Sequence, residues 1–406
     1  MKKILKDYAR LLVEKGLNVQ KKQDVIVRAG LDQVEFVEEV VRLCYKRGAR
    51  KVTVEWQHQA LEKLDYRYCT EKTLSDIPEW ERKKFDYLAE TLPAILYIES
   101  EDPNGLAGID QQKVAKVRQN RYPVVHAYRD KIENKYQWCI AGVPGKAWAK
   151  KVFPELKVKE AEKKLWESIL FTSRADKGDP VQAWEQHNKD LRARCDYLNS
   201  LKIKRLNYKS ENGTDFSVGL IDGSRFAAGE ELTLSGIPFN PNIPSEEVFT
   251  SPMAGDAEGV VVASRPLSFR GEIIDKFSMR FEDGKVVEVH AEKNEELLKT
   301  MVGMDENSCK LGECALVPYD SPIRNSGVTF FNTLYDENAC CHLALGEGFP
   351  ECIVGFENMT LEEVRKKGIN ESIIHVDFMI GTEDLSIDAE TEKGVVPIFR
   401  KGNWAF

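Results

Sequence analysis

The chain contains 406 residues, of which 42% are hydrophobic and 31% are charged, and its 58 Lys and Arg against 66 Asp and Glu give a formal net charge of −8. At roughly 150 residues per domain, this length predicts two or three domains that bury their cores without disulfide support, and the composition excludes disorder over most of the chain. An acidic chain with no large basic block lacks the clustered cations that phosphate binding requires, so nucleic acid is excluded as the main partner.

The first sixteen residues predict an amphipathic helix rather than a targeting signal. Their apolar residues are interrupted at helical spacing by Lys6, Asp7 and Arg10, so the continuous apolar core of a signal peptide is missing. No segment reaches the ~18 apolar residues that cross a bilayer. The nine cysteines include no CxxC pair and are expected to be reduced thiols. We therefore expect a cytoplasmic protein that does not bind membranes.

The first half of the chain alternates strand and helix patterns. Residues 24–28 are rich in β-branched side chains, residues 33–47 carry apolar residues at helical spacing up to a stop at Gly48, and residues 51–55 are again β-rich. Strands separated by helices predict a doubly wound, mostly parallel sheet. The other strands predicted in this half are 94–98 and 137–141, and the other helices are 111–119, 157–171 and 181–201.

The second half has the pattern of an antiparallel β protein. Asn212-Gly213, Asp222-Gly223 and Asp283-Gly284 each lie between β-rich segments, which is a strong signal for a two-residue hairpin turn. Short helices are predicted at 295–302 and 361–367.

These patterns predict an α/β plus α+β protein with two domains. Residues 1–202 would form an α/β amino-terminal domain with a doubly wound, mostly parallel sheet, and residues 203–406 a β-rich carboxy-terminal domain. The boundary is soft by some tens of residues, because the predicted helix 181–201 fits either side.

Common nucleotide and nucleophile motifs are missing from the sequence. A phosphate loop ending at Lys146 requires Gly at position 140 and Ser or Thr at position 147, where the chain has Ile140 and Ala147. No GxGxxG follows the first strand, so a dinucleotide site is not expected. No GxSxG occurs, and Cys341 beside His342 is a poor nucleophile and base pair because adjacent side chains usually point apart.

A His-x-Asp pair lies in the predicted strand 373–381. Alternate residues of a strand share a face, so His375 and Asp377 emerge together while Val376 and Phe378 face the other way. A buried, ionised Asp requires a cation, a metal ion or several hydrogen bonds. The pair therefore indicates either a metal site or a structural hydrogen bond between aspartate and histidine.

A second combination of carboxylate and imidazole lies about forty residues earlier. If Asp336 or Asn338 caps a helix that runs from Ala339, Glu337 lies at the start of that helix and His342 one turn in. This geometry would allow both side chains to bind one ion. Ordinary helix capping is the alternative interpretation of the same residues.

Two further carboxylates lie at element ends beside apolar residues. Glu313 is at the head of the apolar strand 311–318, and Glu247 lies in a loop that leads into a strand. Surface positions are the ordinary explanation for each of them. Together with the two imidazoles, however, these carboxylates match what a pair of divalent ions requires, with one or two carboxylates as bridges. Spacing alone does not select them from the 66 acidic residues.

The second half of the chain contains the four segments PSEEVFTSP, LGECALVP, NTLYDENACCHLALGEGF and NESIIHVDFMIG. These segments resemble the signature segments of the family M29 metallo-aminopeptidases, in the family's order and at similar intervals. The resemblance implies an α/β amino-terminal domain, a carboxy-terminal catalytic domain with two metal ions, a homodimer, and release of amino-terminal residues from peptides.

The resemblance also implies the roles of individual residues. It makes Glu313 the bridge between the two metal ions. One departure is Phe349, at a position where members of the family often have a Tyr that assists near the metals. A phenol can donate a hydrogen bond to a tetrahedral intermediate, whereas Phe cannot, and loss of such a donor costs about 10² to 10³ in rate. The implied metal ligands are Glu247, Glu313, Glu337, His342, His375 and Asp377.

The function expected from this resemblance is hydrolysis of short peptides at their amino terminus. Two divalent ions, of Zn, Co, Mn or Mg, would polarise the scissile carbonyl and supply a hydroxide, and Glu246 or a weakly held ligand would transfer the proton to the leaving amine. Two alternatives remain open at this stage. One is a ring-cleaving dioxygenase with a single iron that acts on a dihydroxypyridine, and the other is a non-catalytic peptide-binding relative, suggested by Phe349.

Overall fold

The computed structural model describes residues 2–406, which fall into two units. The first unit comprises the chain up to Lys189 together with Gly229–Ser245, and the second comprises Asp190–Ala228 and Glu246–Phe406. Residues 229–245 therefore belong to the first unit although they follow part of the second along the chain. The division into domains at residues 202 and 203 stays a prediction.

Helices dominate the first unit and are short in the second. The π-helical turn Leu12–Gly16 continues the first helix, and short 3-10 turns cover Leu31–Gln33, Glu337–Ala339, Pro350–Cys352 and Phe356–Asn358. The helices are α1 (Lys2–Leu11), α2 (Val34–Arg47), α3 (Gln59–Tyr68), α4 (Glu71–Ser75), α5 (Glu79–Thr91), α6 (Gln111–Ile132), α7 (Lys146–Val152), α8 (Val158–Thr172), α9 (Pro180–Leu201), α10 (Glu295–Val302), α11 (Pro322–Asn325), α12 (Thr333–Asp336) and α13 (Leu361–Lys366).

Most of the strands lie in the second unit. The strands are β1 (Asp24–Gly30), β2 (Lys51–Gln57), β3 (Ala94–Glu99), β4 (Trp138–Gly142), β5 (Arg205–Lys209), β6 (Asp215–Leu220), β7 (Glu231–Leu232), β8 (Pro238–Phe239), β9 (Asn242–Ile243), β10 (Val248–Thr250), β11 (Pro252–Val262), β12 (Leu267–Phe269), β13 (Glu272–Glu282), β14 (Lys285–Lys293), β15 (Leu311–Leu316), β16 (His342–Gly346), β17 (His375–Met379), β18 (Ser386–Thr391), β19 (Gly394–Arg400) and β20 (Asn403–Trp404).

The first unit is built on a parallel sheet with the strand order β2-β1-β3-β4-β9. Because β2 lies on one side of β1 while β3 and β4 lie on the other, the strand order reverses at β1, as in a doubly wound sheet. The predicted unit of strand, helix and strand at residues 24–55 is confirmed. Its helix α2 ends at Gly48, whose φ of 97° lies in the left-handed region that glycine adopts without strain.

Helix α6 is longer than the prediction, which ended it at residue 119. Asp110 caps its amino terminus by accepting hydrogen bonds from the backbone N–H groups of Gln112 and Lys113. Its buried residues lie in the first two turns, and the rest of the helix includes Pro123 and carries no buried residue. The apolar periodicity therefore stops before the helix does, and the sequence pattern reported only the buried part.

The second unit is predominantly antiparallel, as predicted. The turns at Asn212-Gly213 and Asp283-Gly284 join β5 to β6 and β13 to β14 as hairpins. The hairpin predicted at Asp222-Gly223 is wrong, because β6 pairs with β5 and β11. The chain after Gly223 instead crosses to Ile353, which forms an isolated bridge with Ser224. Gly223 has a φ of 77°, so the glycine serves a turn that no hairpin follows.

A four-stranded sheet with the order β10-β15-β16-β17 forms the centre of the second unit. Every residue of β15 and β16 is buried. Leu343 and Leu345 on one face of β16 are fully buried, and each such side chain contributes roughly 1.5–3 kcal/mol to folding. On the same face the ring of Phe378 lies 6.2 Å from Phe277 of the neighbouring nine-stranded sheet. The opposite face of the four-stranded sheet is therefore the one available for polar side chains.

Two further features are the apolar character of the helices and the state of the cysteines. Within residues 2–406, no helix combines the length and the apolar character needed to cross a bilayer. The nine cysteines are free thiols, and seven of them are buried, whereas Cys69 and Cys309 are partly exposed.

Candidate metal centre

Three adjacent strands bring the predicted ligands to one face of the four-stranded sheet. In one row across the sheet, Glu313 of β15 lies opposite Ala344 of β16, which in turn lies opposite Asp377 of β17. Residues opposite one another in an antiparallel sheet point to the same face. Because Ala344 has only a methyl side chain, the two carboxylates extend across it into the same space.

A second row of the sheet pairs His375 with a glycine. Gly346 lies opposite His375 in the pairing of β16 with β17. It has a φ of 103°, and a Cβ at this position would lie 1.9 Å from the backbone oxygen of Ile374. Any side chain at position 346 would therefore collide with the chain directly before His375.

The helix predicted to carry His342 is wrong. Glu337–Ala339 forms a 3-10 turn, Cys340 is fully extended, and His342 is the first residue of β16. Glu337 and His342 are therefore positioned by a turn followed by a strand. Both side chains are nevertheless buried, and the carboxyl group of Glu337 is hydrogen-bonded to that of Asp377.

The structure brings five of the six predicted ligands into two groups that share one carboxylate. In the first group Nε2 of His342 lies 3.1 Å from Oε2 of Glu247, and Glu313 is the third member. In the second group Nε2 of His375 lies 3.1 Å from Oε2 of Glu313 and 3.2 Å from Oδ1 of Asp377. Within each group the ligand atoms lie within 4.8 Å of one another. The sixth, Glu337, adjoins the second group through Asp377.

Both imidazoles are oriented by backbone carbonyl groups. Nδ1 of His375 lies 2.7 Å from the carbonyl oxygen of Glu347, and Nδ1 of His342 lies 3.3 Å from that of Cys340. A proton on Nδ1 that is donated to a carbonyl leaves the lone pair of Nε2 directed into the cluster. This arrangement is typical of histidines that bind metal ions.

Neighbouring carboxylates raise the pKa of both imidazoles of the cluster. Burial would lower the pKa of His342, but the carboxylate of Glu247 beside its Nε2 raises it to about 9. Burial also opposes the protonated form of His375, but the neighbouring carboxylates of Asp377 and Glu313 raise its pKa well above the ordinary value. A divalent cation experiences the same attraction, so metal binding would displace protons from these imidazoles.

The pKa values of two carboxylates in the cluster are shifted in opposite directions. Burial raises the pKa of Glu313 to about 7, and the charges of Glu247 and Asp377 act in the same direction. For Asp377 burial also acts to raise the pKa, but the neighbouring imidazole of His375 outweighs it and lowers the pKa to about 2. Of these two carboxylates, Glu313 is the one whose charged form is disfavoured, and it is shared by both groups.

The residues present fit divalent metal ions. Among the described residues, Nε2 of His342 and Oδ1 of Asp377 are buried and make no hydrogen bond of acceptable geometry, although charged neighbours lie close to both. Buried polar atoms without such bonds are costly, and a bound cation would satisfy them. Imidazole nitrogen with carboxylate oxygen is the donor set that Zn, Co and Mn bind.

The structure also reveals a residue that the sequence interpretation treated only as a possible helix cap. Asn338 is fully buried, and its side chain accepts a hydrogen bond from the backbone N–H of Glu246 at 2.6 Å and donates one to the carbonyl of Leu334 at 2.9 Å. It also lies 3.4 Å from Oε1 of Glu337. Asn338 therefore links the segment that carries Glu246 and Glu247 to the turn that carries Glu337.

The chain is similar over its whole length to proteins of one family. Residues 1–404 match the model of the family described as Thermophilic metalloprotease (M29). Aminopeptidase AmpS of Bacillus subtilis is 43% identical over 99% of this chain and 98% of its own length, and Aminopeptidase T of Thermus thermophilus is 38% identical over 99% and 98%.

Two solved structures resemble the fold. The structure of wild-type AmpT from Thermus thermophilus superimposes with a TM-score of 0.89 at 37% identity and covers 100% of both chains. A 2,5-dihydroxypyridine dioxygenase from Pseudomonas putida covers 100% of this chain and 97% of its own, but at a TM-score of 0.53 and 12% identity it shares the fold alone.

Proposed function

This chain belongs to the M29 metalloprotease family, as its four motifs predicted, and we propose that it is a metal-dependent aminopeptidase that releases amino-terminal residues from short peptides. The observation that carries this proposal is the pair of ligand groups that share Glu313. Relatives that are 36–43% identical over almost the whole chain are named aminopeptidases, which supports the same reaction.

We propose that the site holds two divalent ions. Glu247 and His342 would hold one ion, His375 and Asp377 the other, and Glu313 would bridge the two. Glu337 would complete the set beside Asp377. The ions would be Zn, Co, Mn or Mg. Such ions polarise a scissile carbonyl and generate a hydroxide at neutral pH.

The residues of the chain would bind the ions, orient the ligands and transfer the proton. The carbonyls of Cys340 and Glu347 hold the two imidazoles with Nε2 facing the site. Glu246 would transfer a proton to the leaving amine, a role that requires a carboxylate close to the reacting groups. Its backbone is fixed by Asn338, so the segment on which it lies is held against the turn of Glu337.

The number of carboxylates argues against the ring-cleaving alternative. A single iron in that chemistry is bound by two imidazoles and one carboxylate with open positions. Here His375 has Glu313 and Asp377 as neighbours, while His342 has a carboxylate neighbour of its own in Glu247. The number of acidic donors therefore supports two redox-inactive ions.

We also propose a homodimer and a cytoplasmic location. The homodimer rests on the family resemblance, and light scattering coupled to size exclusion would test it. The cytoplasmic location is supported by the nine free thiols, which are typical of a reducing compartment. Fractionation of the native cells with an antibody to the chain would test this location.

Hydrolysis of aminoacyl-p-nitroanilides tests the activity. The protein is stripped with a chelator and assayed before and after addition of Zn²⁺, Co²⁺, Mn²⁺ or Mg²⁺, and elemental analysis of protein purified without chelator gives the number of ions. We expect two ions per chain and turnover that depends on them. N-acetylated substrate is the matched control, because it lacks the free amino group and should not be cleaved. No turnover with any ion, together with no bound metal, would reject the proposal and favour a non-catalytic relative.

A further inference from the structure

The two imidazoles of the proposed ligand set differ in their surroundings. The side chain of His342 is 1% exposed, whereas that of His375 is 26% exposed. His342 is therefore held on all sides by packed neighbours, while His375 lies at the open edge of the cluster. The contact of its Nδ1 with the carbonyl oxygen of Glu347 holds one atom of the ring.

The ring of Phe349 packs against the imidazole of His375. The two ring centroids are 4.8 Å apart and the ring planes are inclined by 48°. This separation is in the range of favourable aromatic contacts. Phe349 is not a member of either ligand group.

Phe349 is itself firmly held. Its backbone N–H donates to Oγ of Ser251 at 2.8 Å, and its carbonyl accepts from the N–H of Cys352 at 3.1 Å. Its ring meets that of Phe249 edge-on at 5.4 Å, and Phe249 is buried in a cluster with Cys352. Phe249 lies on β10, so a buried aromatic ring of that strand packs against Phe349.

We propose that Phe349 is a positioning residue, whose ring restricts the tilt of the His375 imidazole so that Nε2 points at Glu313 and Asp377. It would thereby set the affinity of the second ligand group for its ion without touching the first group around His342. This inference rests on the proposed function, because Phe349 can influence the affinity for one ion only if the site binds two.

Cobalt titration of the full-length, chelator-stripped protein against a chromophoric chelator tests the proposal. In Phe349→Ala we expect the affinity for one of the two ions to fall by about tenfold, the lower end of the effect of removing an outer partner of a metal ligand, while the affinity for the other stays at the wild-type value. The visible absorption spectrum of the cobalt ion that is bound more weakly should change shape, because this spectrum reports the geometry of the ligands. Phe349→Tyr retains the ring and should restore the wild-type affinity and spectrum.

Phe356→Ala is the matched control, because Phe356 is also partly buried in the second unit but packs in a separate cluster around Ile353. It should bind both ions as the wild type does. If Phe349→Ala does not fold, Phe349→Leu replaces it, since leucine fills much of the volume without a planar face, and one affinity should again fall. Wild-type affinity for both ions in the alanine or leucine variant, or equal losses for both ions, would overturn the positioning role. A wild-type protein that binds no ions would instead reject the metal function itself.

Discussion

Replacement of Glu313 by Gln is the most decisive perturbation of the proposed centre, because Glu313 is the only residue that belongs to both ligand groups in the described part of the chain. The amide has nearly the same volume as the carboxylate but no charge. Glu313→Gln leaves the first group with Glu247 and His342 and the second with His375 and Asp377.

The expected magnitude follows from the charge that is removed. Two unit charges about 4 Å apart interact by about 4 kcal/mol at the effective dielectric constant of about 20 that suits such sites. A divalent ion doubles this attraction, whereas the amide oxygen and the loss of a desolvated charge offset part of it. If only about 3 kcal/mol is lost for each ion, the affinity falls by about 100-fold.

The assay is competition for Zn²⁺ and Co²⁺ against a chromophoric chelator, together with elemental analysis after dialysis and circular dichroism to verify the fold. Glu292→Gln is the control, because its side chain is 60% exposed in a surface ion pair with Lys276 and such pairs contribute about 1 kcal/mol or less. We expect the control to bind two ions and Glu313→Gln to lose both. Retention of two ions at wild-type affinity by Glu313→Gln would refute the shared-carboxylate geometry.

Further predictions concern the proton transfer, the thiols and the stability of the first unit. Glu246→Gln should keep both ions but lower kcat by about 10² to 10⁴, the usual contribution of a general acid or base, and a normal kcat would exclude this residue as the proton shuttle. In the folded protein Cys69 and Cys309 should react first with a thiol reagent, because they are the partly exposed cysteines, and rapid labelling of all nine before denaturation would contradict the burial of the others. Asp24 accepts hydrogen bonds from Arg50 and from a tyrosine, which outweigh its burial and lower its pKa below the ordinary 3.8. The stabilisation by the Asp24 carboxylate is therefore present above pH 4 and is lost as the pH falls below 3.8. In urea titrations Asp24→Asn should lower the free energy of unfolding by about 1–2 kcal/mol at pH 7 and by much less near pH 2. An equal difference at both pH values would contradict the role of the charge.

The local elements of this protein were largely predictable because their signals are local. The alternation at residues 24–55 and the Gly48 stop gave β1, α2 and β2, since apolar spacing and a left-handed glycine act within a few residues of chain. The pairing of His375 with Asp377 on one face follows from the strand period and is confirmed by their distance of 3.2 Å. The errors lie where a local signal serves a distant contact, as at Asp222-Gly223, whose turn leads to Ile353 and not into a hairpin.

The sequence by itself determined the fold class and the family, and the resemblance of its motifs to that family indicated the candidate ligands. It could not determine that Glu313 and Asp377 meet across Ala344, because strand register between distant segments depends on the packing of the whole sheet. The tertiary structure likewise decided that His342 begins a strand instead of lying in a helix, since the extended residue Cys340 and the buried side chain of Asn338 fix the chain there. A metal site needs charged side chains from remote segments within a few ångströms of one another. Removing these charges from water is costly, and the burial of apolar side chains in the folded chain offsets that cost.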